Sequence, residues 1–207
     1  MARDTRERIM ASALALFNAE GEPNVTTNRI ADELDMSPGN LHYHFRTKSD
    51  LIEALFVVFE QRMLDLLATP EERQPDIEDI WFFLHLVFET IGSFRFFYRD
   101  LTDLCSRHRR LHQRFRAILN LSLDTARGLL DGLADAGQLE ASELELEAVV
   151  RNIVLISTCW LSFDQVLERD QEARPERAVW QVMSLVSPYL VDAARGQLEA
   201  LASAYRS

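Results

Sequence analysis

The chain is poor in turn-forming residues, with only 7 glycines and 6 prolines among 207 positions. Few places therefore offer φ > 0 or a fixed φ, and long helices joined by short loops are favoured over a many-stranded fold. The two cysteines, Cys105 and Cys159, lie far apart without metal-ligand spacing. A disulfide framework and a zinc cluster are thereby excluded, leaving reduced thiols packed in the interior, with redox sensing as the alternative. The longest apolar-rich runs, 80–88 and 153–163, fall far short of the roughly 20 residues a membrane-spanning helix needs. The opening Met-Ala-Arg-Asp-Thr-Arg-Glu-Arg lacks the apolar stretch of a secretory signal. These absences predict a cytoplasmic protein with no membrane partner.

Positive charge is also scarce: 22 basic residues face 33 acidic ones, for a net charge of −11. Lysine occurs once, as Lys48, and no function follows from that bias. The acidity argues against strong non-specific affinity for nucleic acid, which is largely counterion release. Residues 1–60 carry six basic side chains (Arg3, Arg6, Arg8, Arg29, Arg46, Lys48) against ten acidic ones. Phosphate contact depends on the local face rather than on this sum. What is present is ordinary for a globular protein, 47% hydrophobic and 27% charged, enough for a core in one or two domains.

Apolar spacing predicts helices throughout, with no strand-period alternation, repeat or low-complexity segment. In 4–20, Ile9, Ala13, Leu16 and Phe17 form the i, i+4, i+7, i+8 stripe of an amphipathic helix. Gly21-Glu22-Pro23-Asn24 ends it. A short second helix begins at the capping pair Thr26-Thr27, buries Ile30, Ala31 and Leu34, and stops near Asp35-Met36. Ser37-Pro38 opens a third helix of two turns, with serine as cap and proline where no N–H is missed. Pro38, Leu41 and Phe45 cluster on its apolar side. Gly39, Asn40 and Tyr43 face the opposite way, flanked by His42 and His44. A fourth helix starts at Thr47 with Asp50 three residues on, a capping-box variant, and runs to about 68. The segment 69–74, with prolines at 70 and 75, is the clearest break. Further helices are expected at about 76–93, 94–104, 107–136 (ended by Gly137), 142–169 and 175–205, the last interrupted at Pro188.

A two-turn helix is not stable alone, so the third exists only if Leu41 and Phe45 pin it. Its polar side is then free for a partner. Short helix, tight turn, short helix with outward polar residues is the geometry that seats a recognition helix in the major groove of DNA. Gly39 lets the backbone approach, and Asn40 and His42 have the reach and chemistry for base edges. Tyr43, His44, Lys48 and the Thr27 hydroxyl have the chemistry of phosphate ligands, which position without specifying.

The run Thr26-Thr27-Asn28-Arg29-Ile30-Ala31-Asp32-Glu33-Leu34, continued by Ser37-Pro38-Gly39-Asn40-Leu41-His42-Tyr43-His44-Phe45-Arg46-Thr47-Lys48-Ser49-Asp50-Leu51, resembles the TetR family of bacterial repressors. Cap residues, core positions and the aromatic–His–Phe end coincide in register. The rest resembles the family only in length and helical character. The resemblance implies an all-α protein with an N-terminal three-helix helix-turn-helix DNA-binding domain (1–47) and a C-terminal helical effector-binding and dimerisation domain (48–207), joined by the helix from about 48 to 68. It implies a dimeric repressor that binds a palindromic operator and is released by a small, mainly hydrophobic effector, with no cofactor. Ser37, Gly39, Asn40 and His42 would face bases, and Thr27, Tyr43, His44 and Lys48 the backbone, with Pro38 completing the predicted DNA-binding set. His42 departs from the tyrosine common in the family.

Aromatics concentrate between Trp81 and Tyr98, where the resemblance implies an effector cavity. Trp81, His85, Phe88, Phe97, Asn152 and Trp160 are the predicted effector-binding residues, with Ser157 and Thr158 nearby; each also fits a satisfied core group. The helices at 142–169 and 175–205 carry Val149, Val150, Ile153, Ile156, Trp160, Trp180, Met183, Leu190 and Leu198, an apolar load too large for a monomer to expose. Paired recognition helices also suit successive major-groove turns, about 34–36 Å apart. The basic cluster Arg107-His108-Arg109-Arg110 with Arg114 and Arg116 is expected as a solvated face pairing with Glu143, Glu145 and Glu147, or else as a seat for an anionic effector group. His108 and His112, four apart, read as part of that face rather than as metal ligands. No His-Glu-x-x-His pair, nucleophile elbow or phosphate loop is present, so the sequence does not read as an enzyme.

Overall fold

The computed structural model describes residues 2–68, 75–167 and 175–204. Its helices are α1 (Ala2–Glu20), α2 (Thr27–Glu33), α3 (Pro38–His44), α4 (Lys48–Leu67), α5 (Ile77–Ser93), α6 (Arg95–Arg99), α7 (Leu101–Arg107), α8 (Arg109–Asp135), α9 (Glu143–Leu167), α10 (Pro175–Val186) and α11 (Asp192–Ala204), with 3-10 turns at Glu22–Asn24 and Ser187–Tyr189. The described residues contain no strand, only an isolated antiparallel bridge between Leu139 and Leu190. The all-helical class expected from the sequence is observed.

Two helix boundaries differ from expectation. The segment 94–104 is broken into α6 and α7 at Asp100, whose backbone lies at φ −107°, ψ 19°. The Asp100 side chain lies against the turn at Glu22. Arg107 does not open the long helix; it ends α7. His108 follows at φ −124°, ψ 88° with its ring buried, so it is not part of a solvated arginine face. The final helix is interrupted as expected, with Glu140 N–H donating to Tyr189 O (2.8 Å) and Val191 N–H to Gln138 O (3.0 Å). The expected helix ends at 168–169 and 205 lie outside the described residues.

The chain divides into two compact units, residues 1–62 with 93–115 and residues 63–92 with 116–207. In the first, Ile9, Ala13 and Phe17 of α1, Ile30 and Ala31 of α2, Leu41 of α3, and Leu51, Ile52 and Leu55 of α4 are buried together with Val25 and Phe45. Beside them runs an aromatic cluster. Phe56 meets Phe97 edge-on at 5.3 Å, Phe59 stacks on Phe115 at 6.0 Å, and Phe17 meets Phe96 at 5.2 Å. Burying each such ring contributes about 1.5–3 kcal/mol, before any ring-pairing gain. The Tyr98 phenol lies in this cluster, and burial pushes its pKa up.

Asn18, buried at the end of α1, ties that helix to the α5–α6 junction. Its side-chain N–H donates to Ser93 O (2.9 Å), and its Oδ1 accepts the Phe96 N–H (3.1 Å). The last turn of α1 holds no basic residue. Arg95 and Arg99 of α6 supply the cations instead, donating to Asn18 O (3.1 Å) and Phe17 O (3.2 Å). That satisfies terminal carbonyls and opposes the negative end of the helix dipole.

In the second unit, Val149, Val150 and Ile153 of α9 and Val179, Val182 and Met183 of α10 are buried where these helices pack. Arg127 of α8 pairs with Asp131 (2.8 Å) and Glu143 (2.7 Å), so Glu143 takes its cation from here and not from the 107–116 cluster. Helix α9 is long and apolar enough to cross a membrane by length and composition alone, with mean hydropathy 1.4 over its best window. The apolar-rich run 153–163 is shorter because Arg151 and Asn152 bound it on one side and Asp164 on the other, whereas an averaged window spans such residues.

Asn18→Ala leaves the buried Phe96 N–H without its acceptor. A loss of about 1–3 kcal/mol is expected in urea unfolding, with helical content at zero denaturant unchanged.

Candidate DNA interface

Helix α3 is built by local chemistry at both ends. The Ser37 hydroxyl accepts the Asn40 N–H at 3.3 Å, Pro38 occupies the first turn, and Phe45 closes the helix in extended backbone. The turn before it is a Schellman-type return: Met36 N–H reaches Ala31 O (3.0 Å) and Asp35 N–H reaches Asp32 O (3.2 Å). Asp35 takes the left-handed conformation there, at φ 52°, where a short polar side chain is tolerated in place of glycine. Helix α4 opens with the expected reciprocal box: Thr47 N–H donates to Asp50 Oδ2 (2.9 Å), and Asp50 N–H to the Thr47 hydroxyl (3.1 Å).

Leu41 and Phe45 are buried beneath α3, and the Arg6 guanidinium covers the Phe45 ring at 4.9 Å. The other side of α3 is open. Ser37, Pro38, Gly39, Asn40, His42 and Tyr43 are all exposed, His44 is half-buried, and Thr27 is half-buried as the first residue of α2. Tyr43 is 82% exposed, its ring meeting only the edge of His44 at 5.3 Å. Pro38 departs from expectation. As the first helical residue it projects beyond the packed turn, so it belongs to the exposed tip and not to the apolar back with Leu41 and Phe45.

His42 has defined chemistry. Its Nδ1 lies 3.2 Å from Arg46 O, and a carbonyl only accepts, so Nδ1 carries the proton. On the neutral ring Nε2 is then an acceptor, suited to the amino group of adenine or cytosine; on the imidazolium it is a donor, suited to phosphate. Arg46, exposed beside it, is a cation outside the expected DNA-binding set. Its position directly after the recognition helix was the signal available.

Lys48 is not the free cation the sequence suggests. Its ammonium lies 2.9 Å from Glu22 Oε1 and donates to Glu22 O at 2.5 Å. Gly21, at φ 85° and ψ 139° in a region open essentially to glycine alone, turns the chain so that Glu22 follows α1 directly and points inward. The Glu22 side chain is 1% exposed, and its second oxygen is 2.5 Å from Arg107 Nη2. Arg107 also holds Asp103 at 2.7 Å. Asp100 sits against the same turn; burial first, then the Glu22 and Asp103 charges, push its pKa up, against the Glu22 N–H and Arg99, which lower it.

The residues expected to bind an effector are not gathered in one place. Trp81, His85 and Phe88 share one face of α5 in the second unit, with His85 Nδ1 2.9 Å from Trp81 O. Trp160 is half-buried on α9, its ring centroid 6.0 Å from that of Phe163. Phe97 is buried in the aromatic cluster of the first unit, and Asn152 is exposed on α9. A cleft of about 340 Å³ in the second unit is lined by Asp76, Glu78, Gln197, Ala200, Leu201 and Ala204, none of the expected set. Cys105 is half-buried and Cys159 exposed, so the second is not the interior thiol expected; both are free. His108 is buried while His112 is exposed, so they share no surface, and no group of three or more potential metal ligands occurs among the described residues. Arg114 pairs with Glu60, a partner different from the acids of 143–147.

Residues 9–55 match the family described as bacterial regulatory proteins, tetR family, and residues 58–198 match the one described as bacterial transcriptional repressor, TetR. The crystal structure of a TetR-family transcriptional regulator from Marinobacter aquaeolei VT8 is similar over 98% of this chain and 99% of its own, with 39% identity and a TM-score of 0.89. An HTH-type transcriptional regulator of Staphylococcus aureus (strain USA300) is 44% identical over 68 residues, 33% of this chain; the match spans only 35% of that relative's length. A putative transcriptional regulator from Saccharomonospora viridis, solved in complex with choline, shares the fold, with 16% identity, a TM-score of 0.68 and 92% of this chain and 99% of its own covered.

With the Asp100 pKa raised in the folded state, ionisation of this carboxyl opposes folding. The penalty is absent at low pH, where the group is protonated folded and unfolded, and grows as pH rises from about 4 through the folded value. Asp100→Asn is therefore expected to raise the melting temperature at neutral pH, with the gain shrinking towards pH 4; a gain independent of pH contradicts this.

Proposed function

The chain belongs to the TetR family of transcriptional regulators, with a helix-turn-helix DNA-binding head, and we propose that it is a dimeric repressor that grips a palindromic operator through α3 and is released by a small, mainly hydrophobic effector. The exposed front of α3 carries this reading. A helix of seven residues that buries its back while leaving an aromatic ring almost fully in water has no folding reason for that front.

In this reading Ser37, Gly39, Asn40 and His42 meet base edges, with Pro38 at the tip. Thr27, Tyr43, His44 and Lys48 meet the phosphates, joined by Arg46. Such a regulator works in the cytoplasm, beside its operator. Head domain 1–47 is the DNA reader, and 48–207 carries dimerisation and effector binding.

Dimerisation is supported by α9. Asn152, Leu155, Cys159, Phe163 and Val166 fall on one stripe of the helix at 100° per residue, and all five are exposed. Leu155 is 59%, Phe163 56% and Val166 83% exposed, an apolar load that a second copy would cover. Asn152 belongs to this stripe, so its proposed role moves from the effector to the twin helix. Trp81, His85 and Phe88 on one face of α5, with Trp160, remain the proposed effector contacts, and the choline complex of the S. viridis regulator supports small-molecule binding by this fold.

Tyr43→Ala is expected to weaken binding to all duplexes alike, whereas Asn40→Ala changes which sequences are preferred in a selection from random DNA; a uniform loss from Asn40→Ala removes it from base reading. The wild type is expected to run as a dimer in light scattering at micromolar concentration, and Leu155→Glu as a monomer; a monomeric wild type contradicts the α9 interface.

A further inference from the structure

The Glu22 carboxylate sits where three segments meet: the turn after α1, the start of α4 and the end of α7. It is almost wholly buried and has two cationic partners, one on each oxygen, Lys48 at 2.9 Å and Arg107 at 2.5 Å. A buried carboxylate stripped of all its cations is strongly destabilising, so at least one must stay. The two partners differ in what else they can do. Arg107 is also held by Asp103, and these two carboxylates stabilise its charge. Lys48 is the first residue of α4, close behind the recognition helix, where a cation lies at the positive end of the helix dipole and needs an anion beside it. Glu22 is one such anion, and a DNA phosphate is the other.

We propose that Arg107 is a positioning residue for DNA binding: by holding Glu22 it frees Lys48 to leave that carboxylate for a backbone phosphate. This rests on the reading of Lys48 as a phosphate ligand. When phosphate draws Lys48 away, Glu22 keeps Arg107 and is not left as an unpaired buried charge. Without Arg107, Lys48 is the last cation on Glu22 and is retained there. Operator affinity then depends on a side chain at the end of α7 that touches no DNA. Any displacement of α7 that withdraws Arg107 turns Glu22 from a shared carboxylate into a trap for Lys48.

The test uses the full-length protein and a duplex recovered from random DNA by the wild type. Each phosphate contact contributes about 0.9 to the slope of log affinity against log salt. Lys48→Gln is expected to lower that slope by about 2 for a dimer, with affinity down on the order of tenfold. Arg107→Gln should do the same, the double variant should be no weaker than Lys48→Gln, and Glu22→Gln/Arg107→Gln should regain the wild-type slope, since the ammonium then faces only uncharged oxygens, the Glu22 backbone O among them, and the phosphate is the one anion left to it. The last variant removes the buried charge along with its partner, which protects the test against a folding defect in Arg107→Gln.

A second readout needs no DNA. Lys48 is the only lysine, so acetylation of its amine is followed site-specifically by peptide mass, with rates expected in the order Arg107→Gln slowest, wild type, Glu22→Gln fastest. A wild-type slope in Arg107→Gln, additive losses in the double variant, or faster acetylation in Arg107→Gln overturns the proposal. If the wild type recovers no duplex at all, DNA binding itself fails. If it does, but Lys48→Gln keeps the full slope, only the Lys48 hand-over fails.

Discussion

The structure of the head depends on one constraint, that a helix of two turns must be clamped from behind to exist. Seven residues cannot fund their own nucleation, so α3 is held by Leu41 and Phe45 in the core of the first unit. Every other local device serves that seating. Ser37 caps the start, the return at Asp35 fixes the angle from α2, and the Thr47–Asp50 box starts α4 at once after Phe45. With the back fixed so tightly, the front can be given to polar and aromatic side chains that do nothing for the fold. That separation of faces makes a recognition surface.

The charges behind the head follow a similar logic. In an acidic chain with one lysine, that lysine is placed beside a buried glutamate and not in open solvent. Glu22 gathers α4 and α7 at the turn after α1, while Asn18, Arg95 and Arg99 fasten the end of α1 to α6. Within the first unit the head is therefore fixed to α6 and α7 by hydrogen bonds and ion pairs as well as by aromatic packing.

How much was legible in the sequence follows from the range of the interactions. The faces of α1 to α3 apart from Pro38, the caps of α2 to α4, the stop at Gly137 and the interruption at Pro188 are set by residues within four positions of one another, and these were readable. The break at Asp100 was not, because no glycine or proline marks it and the turn it faces, at Glu22, lies 78 positions away. Arg107 was assigned acids of the 143–147 segment, yet its partners are Glu22 and Asp103, and Glu143 went to Arg127. Sequence proximity cannot rank ion pairs between distant segments. Cys159 and Asn152 were read as interior because they lie in an apolar stretch. An apolar stripe looks the same whether it faces a core or a second copy. For the candidate interface, the face of α3 was legible and the engagement of Lys48 was not.

The recognition surface exists only because its helix is clamped. Amide hydrogen exchange of 39–45 in Leu41→Ala is the direct test. With the clamp removed, these amides should exchange at nearly unfolded rates while those of α1 and α4 stay protected, and the variant should retain no selected duplex. Persistent protection of 39–45 together with undiminished duplex binding would show that α3 stands without its clamp.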